Sequence, residues 1–228
     1  MGSEIFAKVI FQFGPLQITD TILTTWLLII SLFALGYWIS KSVVSSPGKF
    51  QTIIEGIIVA SESAVRELLP RHYKEVFPFI LGLWCFVVLA NLIGLIPGLH
   101  SPTRDLSITS ALAVIVLLSV HWFGIRIQGF KKYMNHYLKP NPILLPFHIL
   151  SEVTRTIALA VRLFGNMMSL EMVSLILLLV AGFLVPVPIL MLHVIEALVQ
   201  AYIFGMLALI YIASAIQTQE LRNLKEEV

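Results

Sequence analysis

Between Ser151 and Glu171 the chain reads SEVTRTIALAVRLFGNMMSLE, which sets Arg155, Arg162 and Glu171 inside an apolar run of roughly forty residues, from 142 to 183. Such a run has to be buried in lipid or protein, and an arginine within it costs about 2.5 to 3.5 kcal/mol at mid-bilayer depth on insertion scales. A guanidinium keeps its proton at any physiological pH, so Arg162 is a permanent cation at membrane depth. A carboxyl group escapes that cost by neutralising; an arginine has no such route. Arg162 is therefore a functional-site candidate by default.

The rest of the composition agrees with a membrane setting. Of 228 residues, 58% are hydrophobic and 12% charged, with a mean hydropathy of +0.92; a soluble domain carries about 25% charged residues. A single cysteine, Cys85, excludes an intrachain disulfide and a multi-cysteine metal site. The net charge of +2 gives no reason to expect nucleic acid. Met1 to Lys8 contains Glu4 and leads into no small-residue cleavage site, so the first apolar run is expected to be a retained span and not a signal peptide.

Taken in order, the chain predicts an all-α integral membrane protein of about five transmembrane helices plus one interfacial amphipathic helix. Residues 20–40 are the first span, long enough at about 1.5 Å per residue to cross a hydrocarbon core of about 30 Å. Ser-Ser-Pro-Gly at 45–48 breaks the chain. Gln51, Glu55, Glu62 and Arg66 then recur at helical spacing, with Ile53, Ile57, Ile58, Val65 and Leu68 largely elsewhere, which predicts an interfacial helix over 50–70. Spans follow at 77–97, ending in NLIGLIP, and at 108–127, leading into a basic stretch with Arg126, Lys131, Lys132, His136 and Lys139. Two overlong segments close the chain, 142–183 and 189–217, separated by Pro186-Val187-Pro188. A continuous helix over the first would reach about 60 Å, twice the hydrocarbon thickness. It is therefore expected to be strongly tilted, with the second as its antiparallel return.

Orientation follows from Lys and Arg. With five crossings, one face collects 11 of the 15 basic residues, and the other has only Lys8 and Arg104. The positive-inside rule then predicts the N-terminus outside and the C-terminus in the cytoplasm.

At 100° per residue, Arg155, Arg162 and Asn166 fall within about 60° of one another, with Ala158, Gly165 and Ser169 close to the same stripe. Small residues allow another helix to approach closely, so this face is expected to meet protein while presenting a cation. Glu171 lies nine residues beyond Arg162, about half a turn round and about 13 Å along the axis. It is expected to face the returning helix, where His193, Glu196 and Gln200 share a face. A Glu171, His193 and Glu196 cluster in the outer half of the membrane would suit a proton relay or hydrated ion path; a buried hydrogen-bond network would use the same residues. Asn91, the one strongly polar member of its span, is a further candidate for the ion path; a satisfied buried amide is the competing reading. Ala197, Ala201, Gly205 and Ala208 make a second small-residue stripe, suited to helix packing within the chain or to a partner.

The motif RLFGNM at 162–167, Glu171 after it, HVIEALVQAYIFGMLALIYI from His193, NLIGLIP at 91–97 and P-T-x-D at 102–105 together resemble subunit a of F-type rotary ATP synthases. The resemblance covers nearly everything after about residue 76. It implies that Arg162 is the coupling arginine facing a ring of c subunits and that Gln200 is its neighbour. Asn166 matches the motif's asparagine, Glu171 and His193 match the outer access channel, and Asp105 matches an acidic residue near its mouth. It implies a stator subunit whose two offset half-channels pass H⁺ or Na⁺ to and from ring carboxylates, in an energy-transducing membrane such as a bacterial inner membrane. Its partners would be the c ring, b-type peripheral stalk subunits and the bilayer. Arg104 beside Asp105 and Glu196 in the channel depart from the family pattern and leave ion identity open.

No phosphate loop or nucleotide motif is present, so no ATP site, cofactor or metal is expected in this chain. Two other classes compete with the stator reading. A self-contained transporter would use Arg162 to bind an anionic substrate; a membrane scaffold would tolerate loss of all these charges.

Overall fold

A computed structural model of the chain describes residues 9–13, 16–42, 48–96, 99–130, 145–181 and 186–226. Residues 45–47 of the Ser-Ser-Pro-Gly break, Pro97 at the end of NLIGLIP and Lys131, Lys132, His136 and Lys139 of the basic stretch lie outside the described residues, as does the N-terminal segment to Lys8.

The protein is a helical membrane protein in which five helices are long and apolar enough to cross a bilayer, with a further helix between the first two. A short hairpin that the apolar pattern did not reveal comes first. Strand β1, Val9–Phe13, pairs antiparallel with β2, Leu16–Thr19, in a register that sets Phe13 opposite Leu16. Helix α1, Asp20–Ser42, follows directly. The Asp20 carboxylate accepts from the Thr21 amide at 2.9 Å, which satisfies one of the free donors at the helix start. Most of α1 is outward-facing, with Trp26, Phe33 and Trp38 exposed, as befits a helix solvated by lipid.

Helix α2, Lys49–Leu68, is the amphipathic one; Gln51 donates to Glu55 one turn on at 2.7 Å, while Val65 is fully buried. It stops two residues before Pro70, whose ring disfavours helical geometry in the residue preceding it. Helix α3, Tyr73–Leu92, begins one turn earlier than residue 77 and carries Pro78 inside it, at the expense of one ladder bond near its start. After α3 the chain tightens into a 3-10 turn at Ile93–Leu95, and a second 3-10 turn at Pro102–Arg104 feeds α4, Leu106–Gln128. Gly129 closes α4 at φ 85°, a backbone conformation suited to glycine, with its amide on the Ile125 carbonyl at 2.8 Å.

The last two helices are α5, Leu145–Ala181, and α6, Pro186–Glu226, of 37 and 41 residues. At 1.5 Å per residue they reach about 55 and about 60 Å, well beyond the hydrocarbon core. Helix α6 starts at Pro186 and not after Pro188, because proline lacks an amide hydrogen where the first turn has no use for one. Arg155 of α5 meets Tyr211 of α6, and Asn166 meets Gln200. Eleven residues forward on α5 thus match eleven backward on α6, so the two run antiparallel.

The core forms where α3, α4, α5 and α6 pack together: Ile80, Val87, Val116, Leu163, Phe204, Leu209 and Ile212 are among its buried residues. Ala197, Ala201 and Ala208 are fully buried, and a Cβ on Gly205 would fall inside the Trp84 indole. The small-residue stripe of α6 is therefore consumed in packing within the chain. The stripe on α5 differs: Arg155, Ala158, Arg162 and Ser169 are exposed. Cys85 lies on an exposed face of α3 and not in the packing.

Candidate functional site

Two polar clusters interrupt the apolar helices, and each gathers residues distant in sequence. The first is centred on Arg162. This side chain is exposed on α5 and makes no hydrogen bond or ion pair with any of the described residues. One turn further along, Asn166 Nδ2 donates to Gln200 Oε1 on α6 at 2.6 Å. Gln200 is 3% exposed and its Nε2 is buried with no partner among the described residues. Arg155, two turns before Arg162, sits over the Tyr211 ring at 5.5 Å, a cation–π contact between the same two helices. The helices are thus joined on both sides of Arg162, while Arg162 itself stays exposed.

The second cluster lies at the junction of α3, the two 3-10 turns, α5 and α6. Arg104 Nη1 donates to Glu171 Oε2 at 3.0 Å, with only 10% and 14% of the two side chains exposed. The Ser101 amide donates to Glu171 Oε1 at 3.2 Å. Gly94 makes room for this approach, since a Cβ there would lie 3.3 Å from Glu171 Oε1 and 3.1 Å from the Ser101 Cβ. The Ser101 hydroxyl lies 2.8 Å from the Ala90 carbonyl and 2.6 Å from the Thr103 hydroxyl, which in turn reaches Asn91 Oδ1 at 2.7 Å. Two hydroxyl protons thus serve three contacts, so their hydrogens have more than one arrangement. Asn91 Nδ2 donates to the Ala197 carbonyl at 3.3 Å, and the Asn91 carbonyl lies 3.3 Å from His193 Nε2. Ser101, Thr103 and Asn91 have no exposed surface and His193 has 3%.

Of the residues expected to converge, Glu171 and His193 join one network, but through Ser101, Thr103 and Asn91 and not by direct contact. Glu196 is half-buried on α6 and makes no hydrogen bond or ion pair among the described residues. Asn91 uses both its side-chain amide groups and its carbonyl, so it organises the network. Asp105 is the N-cap of α4, accepting from the Ser107 amide at 2.9 Å and hydroxyl at 2.7 Å. It also accepts from the Thr21 hydroxyl of α1 at 2.9 Å, tying α1 to α4. Ser101 and Thr103 went unnoticed in the sequence because a serine and a threonine beside a proline read as loop; P-T-x-D was the only signal that this loop mattered.

On the far side of the bundle, His121 Nε2 of α4 lies 3.4 Å from Glu152 Oε2 of α5. Among the described residues, no group of three or more His, Cys, Asp or Glu side chains could hold a metal ion.

Comparison with known proteins gives a consistent result. The sequence profile of the ATP synthase A chain family matches residues 22–213. The chain is 54% identical over 230 residues to ATP synthase subunit a of Legionella pneumophila strain Philadelphia 1, covering 100% of both chains. It is 56% identical over 221 residues to ATP synthase subunit a 2 of Pelobacter propionicus, covering 96% of each. It is 36% identical over 215 residues to ATP synthase subunit a 2 of a Bradyrhizobium strain, covering 94% of this chain and 96% of the relative.

Proposed function

This chain belongs to the ATP synthase A chain family, a membrane-sector subunit of ATP synthase engaged in ion transport, and from that premise we propose that it is the stator ion-channel subunit of a rotary ATP synthase, with two offset half-channels. The observation that carries this reading is Arg162: an exposed guanidinium on an apolar helix, with no partner among the described residues and with the helices joined on either side of it. A cation left unpaired at membrane depth is costly unless a partner brings a carboxylate to it. The partner is a c ring, and α5 and α6, too long to stand upright in the bilayer, lie tilted along its surface. Their basic loops face the cytoplasm and the N-terminus faces outward. b-type stalk subunits hold the chain against rotation.

In this mechanism an H⁺ or Na⁺ ion arrives from outside past Asp105 and the Glu171, Ser101, Thr103, Asn91 and His193 network, then loads a ring carboxylate. After almost a full rotation that carboxylate releases its ion towards the cytoplasm. Arg162 stands between the two paths. Its charge attracts an approaching carboxylate in its ionised form, so that the bound ion is displaced from it, and blocks a direct leak; both tasks require a group that cannot lose its proton. Asn166 and Gln200 hold α5 and α6 together at that level, so Arg162 is presented by a fixed surface.

The test is ATP-driven ion uptake into inverted vesicles containing the assembled complex, wild type against Arg162→Ala, with and without Na⁺ and a protonophore. Loss of uptake with the complex intact is expected. Uptake at the wild-type rate would mean that Arg162 is structural.

A further inference from the structure

Among the described residues, Arg104 is the one basic residue placed against a carboxylate of the outer cluster. We propose that Arg104 is a specificity-determining residue: as the fixed counter-ion of Glu171 it closes that carboxylate to metal cations and restricts the outer path to protons. The inference rests on the reading of Glu171 as part of that path.

Glu171 Oε2 faces the Arg104 guanidinium at 3.0 Å and Oε1 faces the Ser101 amide at 3.2 Å. Both neighbours are hydrogen-bond donors, and one is a permanent cation. A hard metal cation needs the opposite, a cage of about six oxygens turned towards it. To bind one, Glu171 would have to release both donors and leave the guanidinium buried without its counter-charge, the arrangement most costly for an ion pair. The pair is held in place by its surroundings as well. Arg104 ends the 3-10 turn whose first residue, Pro102, follows the fully buried Ser101, and Gly94, having no side chain, lets the carboxylate lie close against the Ser101 backbone. A proton makes no such demand. It needs one free lone pair, and an ionised carboxylate offers about four. The hydroxyls of Ser101 and Thr103, with more contacts than protons, lie alongside.

Neither His193 nor Asp105 makes a direct contact with Glu171. His193 is separated from Glu171 by Ser101, Thr103 and Asn91, and Asp105 is engaged with Ser107 and Thr21. Glu171 therefore has one charged neighbour among the described residues, and that neighbour is a cation.

The experiment uses the whole ATP synthase complex in liposomes, following ATP-driven proton uptake with a pH-sensitive dye and sodium uptake with radioactive Na⁺, at equal ionic strength in NaCl or KCl. The wild-type complex is expected to take up protons equally in both salts and to take up no sodium. Arg104→Gln is expected to pump protons in KCl and to be slowed to less than half that rate in NaCl, because the freed carboxylate admits Na⁺. Arg104→Lys, which keeps the charge, is expected to stay insensitive to Na⁺. Sodium uptake by the wild type that persists with a protonophore overturns the proposal without any variant. So does an Arg104→Gln complex that pumps equally in both salts. If Glu171→Gln alone pumps protons at the wild-type rate, it is instead the assignment of Glu171 to the outer path that falls.

Discussion

Asn166 and Gln200 share a hydrogen bond of 2.6 Å one helical turn from Arg162, and it joins the two long helices where the chain presents its exposed cation. Gln200 is 3% exposed and already has one buried group without a partner among the described residues. Deleting Asn166 would strand the rest of its amide in an apolar setting.

Asn166→Leu is therefore expected to destabilise the subunit by about 1 to 3 kcal/mol, the usual cost of leaving a buried polar group unpaired. Asn166→Leu with Gln200→Leu is expected to lie closer to the wild type than Asn166→Leu alone, since neither amide then remains. The measurement is the temperature at which the assembled complex releases this subunit, for both single variants and the double. Strict additivity would show that the bond contributes nothing.

The elements that could be read from the sequence are those where one residue type carries its own cost. Arg162 in an apolar run marks itself, and its exposure on α5 follows from the stripe it shares with Ala158 and Ser169. The five apolar segments are visible because lipid demands continuous hydrophobicity. The α6 stripe of Ala197, Ala201 and Ala208 was ambiguous, because small residues serve any close helix contact; burial assigns it to the chain's own core. The Arg104 and Glu171 pair was out of reach. The two residues are 67 positions apart, and their meeting depends on how two 3-10 turns fold back over α3, which no periodicity reports. Glu196 shows the limit of helical spacing: it lies half-buried on the same helix as His193 and makes no hydrogen bond or ion pair among the described residues, and a shared face by itself does not supply a shared partner.

Asp105 separates a structural role from a place at the channel mouth. Its carboxylate caps α4 and holds Thr21 of α1. Asp105→Ala is expected to cost about 0.5 to 2 kcal/mol in stability from the lost cap. Asp105→Asn, which still offers a cap oxygen, is expected to recover most of that loss. Thermal release of the subunit and ATP-driven uptake should be measured together. If uptake recovers with stability in the asparagine variant, Asp105 acts by capping; if stability recovers and uptake does not, its charge belongs to the ion path.

Gly94 and Gly82 form a matched pair for testing how tightly the outer cluster is built. A Cβ at position 94 would lie 3.1 Å from the Ser101 Cβ and 3.3 Å from Glu171 Oε1, whereas one at position 82 would meet nothing within 4 Å. Gly82→Ala should therefore stabilise α3 by up to about 1 kcal/mol, the ordinary gain of alanine over glycine inside a helix. Gly94→Ala should do the opposite. The added methyl group displaces either the carboxylate or the Ser101 backbone, and the first loosens the contact with the Ser101 amide while the second pulls Thr103 off Asn91. Overpacking of this kind costs about 1 to 3 kcal/mol. Because the strain falls on the network and not on the helix core, uptake should drop further than thermal stability does. The comparison to make is ATP-driven proton uptake per assembled complex for the two alanine variants. Equal rates would mean that the cluster has room to spare, and that the close fit around Glu171 has no part in ion passage.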